Sequence, residues 1–488
     1  MLTSLDVIQV HAPFPPASET SRLADVEDNY ILHSGQHGKP GSLRGSASGI
    51  FRAAFERVTR DDYTQHLMPL NLFRLDVQTF ADLTLGEPSH IAEGAAKAET
   101  APAGGEVEAA DDPVGAWAER EGLWPAFYEA MCDSAITGDG YGRIVPREDG
   151  TAALSVQPPN LVFPIVAPDD VRHAIAYLVA WTYNTGTEVA PSWQGIAELH
   201  TPGRVEGKTF AISNGLIASV ADDPSRSYDT GFDGLTIVHL PNPNRRSNAF
   251  HGISDFADVH AIVAEIEVRF EQAARILDRH SDPSMTLPES AVQQDSVTGE
   301  WTLKLGRAFV TDKDDAPASY LTWDGQLGPN YKMIDMLMSQ FFTLTALSPA
   351  LLGLADNGPV PSGAALRRQM IPTLAKVNRW RMVLTDAIRE CVRAAGAIEG
   401  FEVIDPTITW RDGLPVDALE VAQTEGLLKT AGLSSTAESV RRARDLDGVA
   451  LRTEVDAIAA ERPAPPGVST PPRISLLPAR AEASPPGV

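Results

Sequence analysis

The chain has 488 residues, 43% of them hydrophobic, and its 40 basic and 65 acidic side chains give a formal net charge of −25. This length exceeds what one hydrophobic core usually organises, so two or more packed regions are expected. The net charge disfavours a protein that holds nucleic acid by neutralising phosphates. The apolar runs are shorter than the roughly 18 residues that a membrane-spanning helix needs, so no membrane contact is expected.

The start of the chain and its cysteines indicate an ordinary cytoplasmic protein. The first twenty residues do not have the basic start, apolar middle and small-residue cleavage site of a secretory signal. We therefore expect the chain to stay in the cytoplasm where it is made. Neither Cys132 nor Cys391 has another Cys or His at metal-ligand spacing, and we interpret both as core residues.

The N-terminal part predicts an arm, a helix and an insertion. Residues 1–61 contain Pro and Gly clusters that break any periodic pattern, and we interpret them as an arm with one short helix. Apolar spacing predicts a helix over residues 71–88, closed by Gly86 and Pro88. Residues 91–112 are rich in Ala, Gly and Glu and lack aromatic residues, a composition typical of a flexible insertion.

Helical spacing returns over residues 117–136, with a restart predicted at Pro125, and leads into a turn at residues 137–140. From residue 141 to residue 239, short β-like runs alternate with Gly, Pro and Asp clusters. This stretch predicts a β-rich module.

The longest predicted helix covers residues 254–281, where apolar residues recur at alternating three- and four-residue steps. Its predicted length is roughly 40 Å at about 1.5 Å per residue, and Asp282 and Pro283 end it. Residues 284–326 then predict a compact insert with strands near residues 301–305 and 320–323.

Two further helices and a loop are predicted after this insert. The helices cover residues 331–347 and 364–395, and Pro372 is expected to kink the second. Residues 348–363 contain three Pro and three Gly, which predicts a loop between them. Residues 417–461 predict three short helices, and the Pro-rich residues 462–488 predict a disordered tail.

No set of residues predicts catalysis, a cofactor or a metal site. His251, His260 and His280 are 9 and 20 residues apart, which does not place them on one helix face. Residues 138–142 are glycine-rich, but they lack the Lys-Ser/Thr ending of a phosphate-binding loop and precede a predicted strand. No Gly-x-Ser-x-Gly or His-Glu-x-x-His motif occurs. We therefore expect a protein that is not an enzyme.

Four stretches make the chain resemble the portal proteins of tailed phages, in particular those of long-tailed phages of Gram-positive hosts. They are residues 71–88, ending in Leu-Gly-Glu-Pro; 250–258, Phe-His-Gly-Ile-Ser-Asp-Phe-Ala-Asp; 346–353, Ala-Leu-Ser-Pro-Ala-Leu-Leu-Gly; and 361–367, Pro-Ser-Gly-Ala-Ala-Leu-Arg. Their order and separations carry the resemblance from about residue 30 to residue 461. The acidic insertion and the Pro-rich tail depart from the family pattern.

The resemblance implies an α+β portal fold with long stem helices, a small α/β clip, a β-containing wing and a helical crown. The division that it implies is an N-terminal arm and wing (1–252), a stem helix (253–282), a clip (283–328), a second stem helix (329–347), a tunnel loop (348–363), a kinked helix with the wing return (364–414), a crown (415–461) and a disordered tail (462–488).

In this division the tunnel loop would line a DNA channel. The residues expected to face the channel are Leu354, Ala355, Asp356, Asn357, Gly358, Pro359 and Val360. They offer little that would grip phosphate, which suits sliding. Arg367 and Arg368 follow the loop, and either contact with DNA phosphates or salt bridges to neighbouring subunits would account for them.

The resemblance also implies the partners. The chain would form a ring of twelve subunits at one capsid vertex of the virion, after assembly in the host cytoplasm. It would conduct double-stranded DNA during packaging and ejection. It would contact the terminase large subunit, which supplies the ATPase, together with head-completion or adaptor proteins and the major capsid and scaffolding proteins. Two alternative functions remain open: a capsid-assembly or scaffolding protein, and a cytoplasmic nucleic-acid-processing enzyme.

Overall fold

The computed structural model describes two separate compact units. They comprise residues Met1–Gly413 and Leu414–Val488. The described residues are 2–39, 41–58, 68–86, 90–92, 112–187, 189–281, 285–286, 292–294, 301–303, 319–320, 327–354, 367–403, 406–410, 418–444, 446 and 448–461. Helices and strands both contribute substantially, so the predicted α+β class is confirmed.

The helices of the first unit fall into an N-terminal group of five and three longer helices. They are α1 (Thr20–Ser34), α2 (Ser48–Val58), α3 (Leu72–Leu85), α4 (Pro113–Arg120), α5 (Leu123–Thr137), α6 (His260–Ser281), α7 (Leu327–Thr345) and α8 (Ile371–Glu399).

The strands concentrate between α5 and α6, as the sequence predicts. They are β1 (His90–Ala92), β2 (Asp139–Pro146), β3 (Ala152–Gln157), β4 (Val162–Val166), β5 (Ala174–Asn184), β6 (Trp193–Thr201), β7 (Arg204–Ser213), β8 (Leu216–Asp222), β9 (Tyr228–Asp229), β10 (Ile237–Pro241), β11 (Met285–Thr286), β12 (Val292–Gln294), β13 (Trp301–Leu303), β14 (Ser319–Tyr320) and β15 (Thr407–Thr409).

Two antiparallel sheets form the β-rich module. The larger has the strand order β4-β5-β6-β7-β8, with β9 added beside β7, and the smaller has the order β10-β2-β3. Short two-stranded pairings join β1 with β15, β11 with β14 and β12 with β13. Strands β13 and β14 lie where the sequence predicts strands in the insert after α6.

The larger sheet is covered on both faces, and β5 shows this most clearly. Leu178 and Ala180 belong to one core cluster, and Tyr177 and Val179 belong to another, because successive side chains of a strand point to opposite faces. The first cluster also contains Ile8 from the N-terminal segment.

The N-terminal residues therefore pack on the sheet, which corrects the prediction of an arm. Leu2 forms a bridge with Ile165, and the Phe14 ring lies 4.8 Å from the ring of Phe210 between centroids. The single short helix predicted for residues 1–61 is also wrong, since α1 and α2 both lie there. Apolar periodicity is a weak signal for α1, because two of its four buried residues, Asp28 and Asn29, are polar.

The sequence predicts that α6 begins at residue 254, which is six residues before the helix begins in the structure. The structure starts the helix at His260 because residues before it are held by hydrogen bonds to the end of α5. Ser254 Oγ donates to Ile136 O at 2.6 Å, and the Asp255 N–H donates to Ala135 O at 3.0 Å. These contacts keep residues 255–259 in turns, and α6 is about 33 Å long.

The remaining helix predictions agree more closely with the structure. Helix α3 confirms the helix predicted over residues 71–88. The structure has two helices, α4 and α5, where the sequence predicts helical spacing over residues 117–136. They are separated at Gly122, whose φ is +63°. The restart therefore precedes Pro125, which lies in the first turn of α5. Helix α7 begins four residues before its predicted start at residue 331.

The second unit contains three helices among its described residues, which confirms the three predicted over residues 417–461. They are α9 (Ala418–Thr430), α10 (Thr436–Arg444) and α11 (Gly448–Glu461). Arg442 of α10 pairs with Glu425 of α9 at 3.4 Å, and Arg444 pairs with Glu454 of α11 at 2.5 Å. Across the parts of the chain described above, no helix is both long and apolar enough to span a bilayer.

Candidate functional site

Helices α6 and α7 pack against each other and form the framework of the candidate site. The amide of Asn330 in α7 donates to Arg269 O in α6 at 3.1 Å. Ile334, Phe341 and Phe342 form the buried face of α7. Ile334 and Phe341 are seven residues apart, which is about two helical turns, and Phe342 follows Phe341 directly. The three side chains therefore form one apolar face of α7, which packs into the unit.

The exposed side of α7 mixes polar and apolar residues. Its polar members include Lys332, Ser339, Gln340 and Thr343. Its large apolar members are Tyr331, Met333, Met336 and Leu344, and the Met336 side chain is 66% exposed. These apolar side chains are candidates for contact with another molecule.

A groove of about 1020 Å³ lies beside the end of α7. Its walls come from α3, α6, α7 and the segment that follows α7. The apolar lining residues are Leu70, Leu72, Phe270, Ile334, Met338, Phe342, Pro349, Ala350 and Leu354. The groove therefore opens next to the predicted tunnel loop.

Only the two ends of the predicted tunnel loop are described. After α7, Pro349–Leu352 form one helical turn that ends at Gly353, whose φ of +68° favours glycine. The Leu354 side chain is 59% exposed. At the other end, Arg367 and Arg368 are exposed and have no ion-pair partner among the described residues. Ala355, Asp356, Asn357, Gly358, Pro359 and Val360 lie outside the described residues.

Thr373 joins the two ends of the loop. Its Oγ1 donates to Ala346 O at 2.7 Å and accepts from the Ser348 N–H at 3.0 Å. Ala346 has a φ of +61°, a conformation that non-glycine residues rarely adopt. The chain therefore turns sharply at the end of α7 and is fastened there to the first turn of α8.

Pro372 lies at an interruption of the predicted helix, and the kink itself stays a prediction. Helix α8 begins at Ile371, so Pro372 occupies its first turn. Proline is tolerated there because the first four N–H groups of a helix have no intrahelical partner. Residues 367–369 form a separate helical turn that ends at the buried Met370.

Lys376 lies one turn after Thr373 and contacts three other segments, which are the residues before α6, helix α3 and the end of α7. Its Nζ lies 2.9 Å from Asp255 Oδ2, 3.7 Å from Asp76 Oδ1 in α3, and 3.9 Å from the centroid of the Phe80 ring. The same Nζ donates to Thr345 O, the last residue of α7, at 3.3 Å. The lysine side chain is 12% exposed, and Asp76 is buried.

Burial shifts the ionisation of this group. Desolvation raises the pKa of Asp76 to about 7, because its attraction to Lys376 does not fully offset the cost of burying the charge. Desolvation alone would lower the pKa of Lys376, but the two carboxylates outweigh it and raise that pKa. The ammonium group therefore stays charged, whereas Asp76 changes its charge near neutral pH.

His251 and His260, two of the histidines that the sequence singles out, lie in different surroundings. His251 Nδ1 lies 2.7 Å from Asp139 Oδ2, and His239 Nε2 lies 2.7 Å from Asp139 Oδ1. Burial raises the pKa of Asp139, but these two histidines outweigh it and hold that pKa well below its usual range. His260 is buried elsewhere, and burial lowers its pKa to about 4. The His280 side chain lies outside the described residues. In the described ranges, no three His, Cys, Asp or Glu side chains could hold a metal ion.

The glycine-rich residues 138–142 do not form a phosphate-binding loop. Gly138 ends α5 with a φ of +100°, and β2 starts at the next residue. The two cysteines are free thiols, and Cys391 is fully buried. Burial raises the pKa of Cys132 to about 12, which makes it a poor nucleophile.

Thr373, Lys376, Asp76 and Asp255 are the residues at this site that sequence reasoning missed as a group. One signal was available, because Asp76 and Lys376 each interrupt the apolar face of a helix. A charged residue at such a position needs a buried partner. Sequence spacing does not identify that partner, since the two residues lie 300 positions apart.

Among solved structures, one similar chain comes from a structure titled "Neck of native GTA particle computed with C12 symmetry". It is 13% identical, with a TM-score of 0.43, and the match covers 85% of this chain and 98% of that chain. No curated protein sequence matches the chain.

The family profile described as "Phage portal protein, SPP1 Gp6-like" matches residues 29–464. The match contains all four stretches that carry the resemblance, and it includes the site at the ends of the loop. This family is structural and not enzymatic. The chain belongs to the SPP1 Gp6-like family of phage portal proteins.

Proposed function

We propose that this chain is the portal subunit of a tailed-phage particle, where it forms a ring through which double-stranded DNA passes. Membership of the portal family over residues 29–464 is the observation that carries the proposal. The ring would have twelve subunits and occupy one vertex of the capsid, after assembly in the host cytoplasm.

Exposed apolar side chains on α7 support a ring assembly. Met333, Met336 and Leu344 expose apolar surface that would be covered in a neighbouring subunit's interface. A ring requires a head-to-tail interface between two different surfaces of the same chain. In the proposed ring, the exposed apolar side chains of α7 belong to one of these two interface surfaces.

The charges around the loop support a channel through which DNA slides. The chain as a whole carries a net charge of −25, which repels phosphate, and Leu354 at the start of the loop is apolar and exposed. Arg367 and Arg368 provide a small number of cations at the other end, where contact with phosphate or with a neighbouring subunit is open. Because the cations are few, they would make brief contacts with DNA phosphates and would not bind the DNA firmly.

The insert between α6 and α7 would be the docking platform. Its described parts are β11 to β14, which pair with one another and not with strands of the two larger sheets. We propose that it contacts the terminase large subunit during packaging and the head-completion protein afterwards. The wing would contact major capsid and scaffolding proteins, and the DNA would later leave through the same channel.

Negative-stain imaging of the purified chain, with mass determination in parallel, tests the ring. We expect rings with a central hole and a mass of about twelve subunits. A monomer or dimer at every protein concentration and salt concentration tested would count against the proposal.

A further inference from the structure

The two ends of the loop between α7 and α8 are fastened to the body of the first unit through a single buried lysine. Lys376 Nζ bonds to Thr345 O at the end of α7, while its own backbone belongs to α8. Thr373, one turn earlier on the same helix, bonds to Ala346 and Ser348. Residues 373 and 376 share a helix face because they are three positions apart.

The lysine is in turn anchored by carboxylates that are themselves fixed in place. Asp255 accepts from the Asn242 side chain at 2.9 Å, and its own N–H donates to Ala135 O at the end of α5. Asp76 lies within α3, whose Phe80 ring packs under the ammonium group. Lys376 thus links the loop ends to three other segments of the unit.

The charges of Lys376, Asp76 and Asp255 do not balance when all three side chains are ionised. One ammonium faces two carboxylates, and neither oxygen of Asp76 has a hydrogen-bond partner among the described residues. The separation of 3.7 Å between Asp76 and Lys376 is that of an ion pair and not of a hydrogen bond. A buried group with one excess negative charge is stabilised by one proton.

We propose that Lys376 is the positioning residue of the loop, and that a proton on Asp76 determines how firmly both ends of the loop are held. The anchoring is a property of the single chain. Its effect on DNA passage rests on the proposed function.

The charged groups that face Asp76 define the expected pH dependence. Among the described residues they are Lys376 on α8 and Asp255 before α6, and Arg379 is the next cation that acts on Lys376. The pKa of Asp76 is raised to about 7 in the folded chain, so the folded chain holds a proton that the unfolded chain has released above about pH 4. The stability that this proton gives is complete below pH 4, and it is lost as pH rises through about 7.

Hydrogen exchange of the intact chain tests the proposal. The reporter segments are residues 343–354 and 367–378, and residues 174–184 of the large sheet serve as an internal control. After correction for the intrinsic pH dependence of exchange, we expect both reporter segments to exchange roughly three- to thirtyfold faster at pH 8 than at pH 5.5. The control segment should not change in this way.

Two variants separate positioning from general stability. Asp76→Asn keeps the shape of the side chain and removes its ionisation, so both reporter segments should exchange at a rate independent of pH. Lys376→Met should speed exchange of both segments at least tenfold at pH 8, and Lys376→Arg should restore part of the protection.

Some outcomes would overturn the proposal. One is that Asp76→Asn keeps the wild-type pH dependence of exchange. The other is that folded Lys376→Met protects both segments from exchange as well as the wild type does. If Lys376→Met does not fold, the Asp76→Asn pH profile decides alone. Because exchange is measured without DNA or a capsid, failure of this test leaves the ring-imaging test of the proposed function unaffected.

Discussion

Glu198 is a buried carboxylate with several close basic partners. It contacts Arg143 and lies 3.0 Å from Arg226. Burial raises the pKa of Glu198, but the hydrogen bond with His200 and these two arginines outweigh it and lower that pKa. Asp76 differs because its ammonium partner is shared with Asp255 and lies farther away. Burial raises the pKa of Asp76, and a cation that is shared with Asp255 does not offset that effect.

The sequence predicts the positions of such residues better than their contacts. The helical pattern places Asp76 inside α3, and the prediction of that helix is confirmed. The contact with Lys376 depends on how α3 and α8 pack, and periodicity within either helix carries no information about that packing.

Gly138 provides a test of packing at the single-residue scale. A Cβ at this position would lie 2.4 Å from Gly252 O, and the φ of +100° is unfavourable for any other residue. We expect Gly138→Ala to lower the free energy of unfolding by about 2 to 4 kcal/mol in thermal or chemical denaturation.

Gly150→Ala is the matched control for that variant. Gly150 has a φ of +82°, but a Cβ there would meet nothing within 4 Å. The control should therefore cost only about 1 kcal/mol, from backbone conformation alone. Equal losses in the two variants would contradict the steric argument.

Helix boundaries differ from their predictions where tertiary contacts or proline intervene. The apolar pattern of α6 continues back to Phe256, yet hydrogen bonds from Ser254 and Asp255 to α5 hold that segment outside the helix. Pro372 lies where the predicted helix is interrupted, since α8 begins at Ile371 and Pro372 occupies its first turn. Periodicity detects which residues share a face, and it does not detect the contacts that end a helix.

The exposed face of α7 leads to a prediction about assembly. Met336→Glu places a charge in the surface that the proposed ring would bury, and burying an unpaired charge costs several kcal/mol. We expect the population of rings to fall at least tenfold in mass measurements, while circular dichroism of the subunit stays unchanged.

Met336→Leu serves as the control because it keeps the side chain apolar and similar in volume. Rings should form as in the wild type. If Met336→Glu also forms rings normally, Met336 does not lie in the interface, and the more exposed Met382 on α8 becomes the position to test.

At the scale of the whole molecule, the family and the fold class follow from the sequence, whereas the channel does not. The order of the helices, the sheet module and the loop reflects local patterns along the chain. The channel would arise between subunits, and one chain's pattern does not encode which of its exposed faces meet. The wing, stem, clip and crown division therefore stays a prediction.

Replacing residues 355–363 by a Gly/Ser linker of equal length tests the channel loop directly. The replacement preserves the contacts of Ser348, Thr373 and Lys376 that fasten the loop ends. We expect rings to assemble but the amount of packaged DNA to fall at least tenfold, measured as nuclease-protected DNA in an assembly reaction.

The matched control replaces residues 185–191, an exposed hairpin end between β5 and β6, by a linker of the same composition. It should leave packaging within about twofold of the wild type. Packaging that is normal with both replacements would contradict a role of the loop in DNA passage.

The pairing of β1 with β15 has a consequence for the order in which the chain is made. His90 of β1 pairs with Thr409 of β15, so the partner strand is synthesised more than 300 residues later. At about 5 to 20 residues per second, β1 leaves the ribosome roughly 15 to 60 seconds before that partner exists. The sheets between β2 and β10 are complete within that interval, so this two-stranded pairing can close only after the large sheet and the long helices α6 to α8 have been synthesised.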